Sequence, residues 1–292
     1  MKPVPRNLRI LTSVTIALFV FALYIVLIYA PREAVMGDVQ RVFYFHVSAG
    51  WVGALAFFVT VIASTLVLTR GGGNVAKLLA GVAASVLGAI LVMFLYRMTD
   101  SNLWLGGGAI AVVAGLYLAG LAIGVRMRRD WSFWDSVGLS SVEIGVVFTF
   151  INIVSGSIWS RPIWNTWWTW DPRLVTATIM LLLYLAYLML RQGIDDPNRR
   201  ARFGSIYGIV AFVSVPITFL SIRLFRTIHP VVIGSSDPSA EGAFEMTDRM
   251  AQALMFSVLT FTFIYATLLW YRIRLGRLSK QVEERKMELM SV

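Results

Sequence analysis

Eight stretches of about 20 apolar residues recur along this chain, and their length limits what it can become. They lie near residues 8–30, 46–69, 77–96, 105–126, 136–158, 173–191, 203–224 and 250–271. A helix rising about 1.5 Å per residue crosses the hydrocarbon of a bilayer in roughly 20 residues, whereas a barrel strand needs only about half that. Backbone groups in lipid must bond to one another, and blocks this long do so as helices. The expected fold is all-α: a polytopic integral membrane helix bundle with about eight transmembrane helices. Charged residues make up 14% of the chain, against roughly a quarter in soluble domains, too few to cover a water-facing surface.

The first block is too long and apolar for a secretory signal. Pro31-Arg32-Glu33 follow it where small residues would mark a cleavage site, so a retained helix is expected. Orientation follows from the basic residues. With a cytoplasmic N-terminus and alternating spans, 18 of the 26 Lys and Arg fall in cytoplasmic segments. The C-terminus is then cytoplasmic too. The net charge of +10 is thereby a topology signal and not a nucleic-acid footprint, since no soluble face carries it. Cysteine is absent and only two histidines occur, which excludes disulfides, Fe–S clusters and Cys/His zinc sites within this chain.

The chain reads as a single membrane domain over residues 1–292. Residues 77–126 form an inserted transmembrane hairpin of Ala, Gly, Val and Leu without residues suited to chemistry, and 272–292 a charged, helical cytoplasmic tail. Residues 159–173 form an extracytoplasmic loop. It holds Trp159, Trp164, Trp167, Trp168 and Trp170, half of the tryptophans in the chain. Tryptophan favours the headgroup level, so an aromatic belt is one reading. A belt spreads over many helix ends, however, and five indoles in one loop suit a flat shelf for a planar ligand. If the loop were helical, Trp164, Trp167 and Trp168 would share a face.

Asp171 and Pro172 suit the N-cap and first position of the next helix. Arg173, with Arg161 across the loop, suits carboxylates such as haem propionates. His46 and His229 both fall at outer helix–loop junctions, on the side of the Trp segment. A lone histidine is usually a packed side chain, but a haem iron takes two axial ligands and neutral imidazole is a common one. Glu143 is an intramembrane acid near the cytoplasmic end, within reach of Ser140 or Ser141, and is given no catalytic role. Pro216 is expected to kink the seventh span.

Val147-Phe-Thr-Phe-Ile151, Gly156-Ser-Ile-Trp159, Pro162-Ile-Trp164 and Thr166-Trp-Trp-Thr-Trp-Asp-Pro-Arg-Leu174 together resemble the WWD signature of the haem-handling proteins of cytochrome c maturation. Arg41-Val-Phe-Tyr-Phe-His46 and Thr227-Ile-His229 are similar to that superfamily's two histidine regions, and the closest likeness is to the CcmC family. The resemblance implies a bacterial inner-membrane protein that holds haem b at the outer face and delivers it to the chaperone CcmE, beside CcmA, CcmB and CcmD. It implies His46 and His229 as axial ligands and metal-binding residues. It also implies Trp159, Trp164, Trp167, Trp168, Trp170, Asp171 and Arg173 as the surface that binds and presents the porphyrin. CcmC proteins have six membrane helices, and the hairpin at 77–126 accounts for the difference. An alternative is the CcsA-type cytochrome c synthase, a haem lyase with a CcsB/ResB-like partner, which usually carries further intramembrane histidines. A haem permease ranks last, because the spans hold almost no charge. No residue stands out as a catalytic acid, base or nucleophile.

Overall fold

The computed structural model describes residues 3–33, 36–70, 115–121, 123, 127, 130–229 and 246–290. Seven helices organise them: α1 Arg6–Tyr24, α2 Gln40–Arg70, α3 Trp131–Trp164, α4 Pro172–Gln192, α5 Pro197–Ala211, α6 Ser214–Leu224 and α7 Asp248–Met290. Residues 115–121 are also helical, and Glu33 and Gly37 form one isolated bridge. The all-α expectation is met. Among the described residues, six stretches are long and apolar enough to cross a membrane: Arg6–Tyr29, Gln40–Thr69, Trp131–Trp164, Pro172–Gln192, Pro197–Ile222 and Asp248–Met290. They match six of the eight predicted spans. The predicted span at 77–96 lies outside the described residues, and that at 105–126 lies mostly outside them. The charged tail is helical as predicted, since α7 runs unbroken to Met290.

The described chain divides into two compact units. The first comprises residues 1–56, 143–168 and 244–292. Here α1 and α7 run antiparallel, joined by Thr15–Thr267 at 2.8 Å, Thr12–Tyr271 at 3.1 Å and Tyr29–Gln252 at 2.6 Å. Such hydroxyl pairs hold helices together where lipid offers no hydrophobic gain. α1 runs on into a single π-helical turn at Ile25–Tyr29. In that register Val26 O would accept from residue 31, which is a proline without an N–H. The Arg41 guanidinium fills the place, donating to Val26 O at 2.5 Å. α2 and α3 approach closely because glycines line their contact. A Cβ on Gly50 would sit 2.8 Å from the Asn152 amide, and one on Gly53 2.7 Å from Thr149 Oγ1.

Glu143 departs from its expected serine partners. Its carboxylate accepts from Arg272 Nη2 at 2.6 Å, across α3 and α7. Both side chains are only partly exposed, at 29% and 37%. Glu143→Leu is expected to destabilise the detergent-purified protein by about 1–2 kcal/mol, the scale of one hydrogen bond to a charged group. Glu143→Gln, which keeps an acceptor for Arg272, should cost less; equal melting temperatures for all three would refute the pairing.

The second unit comprises residues 57–142 and 169–243. Phe57 of α2 stacks on Tyr184 of α4 with ring centroids 3.5 Å apart. Thr60 Oγ1 donates to Gly138 O of α3 at 3.4 Å. Gly208 of α5 lies flush against Thr60, Ser64 and Tyr187. Arg191 at the end of α4 is buried and forms a bidentate pair with Asp135 of α3 at 2.6 and 2.8 Å. The predicted kink appears upstream of Pro216 itself, as a break at Phe212–Val213 between α5 and α6. Pro216 has no N–H for the carbonyl of Phe212, and its ring crowds that carbonyl, so the chain departs from the helix there.

Candidate functional site

The Trp-rich segment divides between the two units after Trp168; the helix leading into it packs against His46, and Asp171 within it holds the residues before His229. In the first unit, α3 continues through Pro162 to Trp164, about one and a half turns past the predicted start of the loop. It stops because Asn165 takes a left-handed conformation, φ 54°. Asparagine tolerates that region better than other side chains with a Cβ. Arg161 Nη1 donates to Asn165 O at 2.6 Å and also reaches the Asn165 side-chain oxygen. The buried Ser160 hydroxyl lies 2.9 Å from Thr166 O, tying the helix end to the turn beyond it.

This termination changes the aromatic arrangement expected from helical spacing. Trp164 is the last helical residue, so Trp164, Trp167 and Trp168 do not share a helix face. Trp159 is buried, and its ring meets Trp164 edge to face at 5.3 Å. Trp168 is half-buried, whereas Trp167 and Trp170 are 58% and 84% exposed. Trp159 thus braces the segment from within, and the indoles open to a ligand or lipid are those of Trp167 and Trp170.

His46 lies in the second turn of α2, beside α3. Its Nδ1 is 2.9 Å from the main-chain oxygen of Asn152 and 3.2 Å from Ser155 Oγ. The Asn152 side-chain amide donates to His46 O at 2.8 Å. Gly156 gives the ring its room, since a Cβ there would stand 2.8 Å from His46 Cε1. Asn152, Ser155 and Gly156 therefore form one face of α3 against the imidazole, one to two turns before Trp159.

In the second unit Asp171 caps α4 as its sequence suggests: Oδ1 accepts from Arg173 N at 2.9 Å, with Pro172 in the first helical position. Its other oxygen does something the sequence did not disclose. Oδ2 accepts the Thr227 hydroxyl at 2.6 Å and the Ile228 N–H at 3.0 Å. Thr227 Oγ1 in turn accepts from His229 N at 3.0 Å. Arg173 Nη1 donates to Thr218 O at 2.6 Å, and its guanidinium lies 4.6 Å above the Phe219 ring. Asp171 and Arg173 thus bracket α6 and hold the strand of chain that ends on His229.

Asn152, Ser155 and Thr227 were not among the residues expected from sequence. The positions 152, 155 and 156 do carry helical i, i+3, i+4 spacing, which is the signal for a shared face. Nothing local links Thr227 to Asp171, 56 positions away.

A family model described as heme exporter protein C, CcmC, matches residues 108–288, more than half of the chain. The match takes in the Trp segment, Asp171, Arg173 and His229, and leaves His46 outside. Heme exporter protein C of Bradyrhizobium diazoefficiens is 31% identical over 134 residues, which cover 46% of this chain and 49% of that protein. Its namesake in Escherichia coli K12 is 34% identical over 131 residues, 45% of this chain and 51% of that protein. That in Rhodobacter capsulatus is 30% identical over 151 residues, 50% of this chain and 61% of that protein. The chain spans about half the length of the curated relatives it matches.

Proposed function

Because the chain belongs to the CcmC family, heme exporter protein C, we propose that it binds haem b with His46 and His229 as axial ligands and hands it on during c-type cytochrome biogenesis. The observation that carries this reading is that the chain leading into the Trp segment and the segment's own end are each tied to a histidine region: α3 seats His46 through Asn152, Ser155 and Gly156, and Asp171 holds the residues before His229. The side chains present suit the group. Imidazole nitrogens ligate iron, exposed indole faces suit a porphyrin plane, and the indole N–H groups of Trp159 and Trp164 are buried with no acceptor among the described residues. In this reading Trp167 and Trp170 meet the macrocycle, Trp164 and Trp168 back them, Trp159 supports the segment from within, and Arg173 faces a propionate while holding α6.

Haem held there would be positioned at its edge for transfer to a recipient. The recipient is a CcmE-type chaperone, and CcmA, CcmB and CcmD are the accompanying partners. The place is the bacterial inner membrane, with both termini cytoplasmic and the Trp segment on the outer side.

Visible absorption of the purified full chain loaded with haem, beside His46→Ala and His229→Ala, tests the ligands. Each variant is expected to lose the low-spin bands of a bis-histidine centre and to retain less haem. Unchanged spectra and haem content in both would refute the proposal.

A further inference from the structure

The two nitrogens of an imidazole are not equivalent, and the structure decides between them at His46. A main-chain carbonyl has no proton to give. Nδ1 at 2.9 Å from Asn152 O must therefore be the donor, and in the neutral ring Nε2 is left with its lone pair. Ser155 Oγ, 3.2 Å from Nδ1, offers the same proton a second acceptor; its own hydroxyl hydrogen is directed to Ile151 O at 2.6 Å. The Asn152 amide nitrogen also stands 3.2 Å from Nδ1, but two N–H groups do not bond to each other. That amide is used by His46 O at 2.8 Å, which binds the backbone of α2 to α3 at the turn that carries the ring.

The fit depends on two absent side chains. A methyl on Gly50 would stand 2.8 Å from the Asn152 amide nitrogen, and one on Gly156 would stand 2.8 Å from His46 Cε1 and 3.3 Å from Nδ1. All four positions belong to the first unit, so the arrangement is complete within it.

We propose that Asn152, Ser155 and Gly156 are positioning residues that hold His46 in its Nδ1–H form and so present Nε2 as the nitrogen that meets a metal. The inference rests on the reading of His46 as an iron ligand. A ligating histidine whose other nitrogen donates to a carbonyl has a set tautomer and ring orientation and is a stronger base. Asn152 and Ser155 would then tune the iron through the ring without touching it.

The chain holds only two histidines, so protein labelled with 15N at histidine shows two pairs of ring nitrogens, and His229→Ala assigns them. Without haem, at a pH about two units above the ordinary imidazole pKa of about 6.5, His46 is expected to show a protonated Nδ1 and an unprotonated Nε2. Gly156→Ala, whose methyl would crowd Cε1 and Nδ1, should shift the ring toward the Nε2–H form that histidine favours in water; Asn152→Leu keeps the main-chain acceptor, loses the amide bond to His46 O, and should shift it less. Ser155→Ala, the mildest change, should move it partly. With haem bound, the same variants are expected to weaken affinity by about 10- to 100-fold and to raise the midpoint potential, as a less basic ligand favours ferrous iron. A bare Nδ1 in the unsubstituted protein would overturn the proposal without any variant having to fold. Unmoved nitrogen shifts and potentials in folded Gly156→Ala and Ser155→Ala would also overturn it. The underlying ligand assignment fails separately: there the haem spectrum survives His46→Ala, whatever the nitrogen shifts say.

Discussion

Asp135→Ala is expected to lower the melting temperature of the detergent-purified protein by about 10 °C, from a loss of roughly 3–5 kcal/mol. Arg191 is 6% exposed, and its two terminal nitrogens meet the two carboxylate oxygens of Asp135 at 2.6 and 2.8 Å. The Tyr187 hydroxyl, at 3.5 Å, is a distant third partner. Gly204 packs so closely that a Cβ there would lie 2.7 Å from Arg191 Nη1, which leaves the guanidinium no room to withdraw. Removal of the carboxylate strands a buried charge, and that, more than the attraction lost, sets the cost. Asp135→Ala combined with Arg191→Met is therefore expected to recover most of the stability. A double variant as unstable as the single one would show that the pair contributes by packing alone.

Asp171→Ala is expected to cost about 3 kcal/mol, the sum of a lost helix cap and two hydrogen bonds to a charged acceptor. Both oxygens are engaged, one by α4 and the other by Thr227 and Ile228. Freed of its anchor, the segment before His229 should become a better protease substrate. Trypsin cleavage after the exposed Arg226 is the direct measurement, and a clear acceleration is expected. Asp171→Asn keeps one acceptor oxygen and should fall between; Thr227→Val, which removes a single hydroxyl, should cost about 1 kcal/mol. Cleavage at the wild-type rate in Asp171→Ala would refute the anchoring role. On the proposed His229 ligation, haem binding should fall alongside.

These expectations differ in how far the primary structure foretold them. Block length and the absence of charge announce the spans, because the bilayer imposes its thickness on any helix that crosses it. The cap at Asp171-Pro172 is legible because it needs only neighbours in sequence. The break near Pro216 is legible in kind but displaced by four residues, since proline disturbs the carbonyl a turn before it. The end of α3 at Trp164 lies about one and a half turns past where the sequence pattern places it. A Trp-rich, Pro-containing stretch reads as loop, yet the helix persists until Asn165 adopts the left-handed conformation.

Composition and motif by themselves determined that this is a membrane helix protein with two histidines and a Trp-rich segment of CcmC type, because hydropathy and local spacing are properties of the chain as written. The tertiary structure alone decided which carboxylate answers which guanidinium, Asp135 for Arg191 and Glu143 for Arg272, although both arginines looked like ordinary topology charges. It alone decided that one oxygen of Asp171 holds the approach to His229 and that the face of α3 at Asn152 seats His46. Those partners lie 56 to 129 positions apart. Only the packing of helices brings such groups within the roughly 3 Å that a hydrogen bond requires.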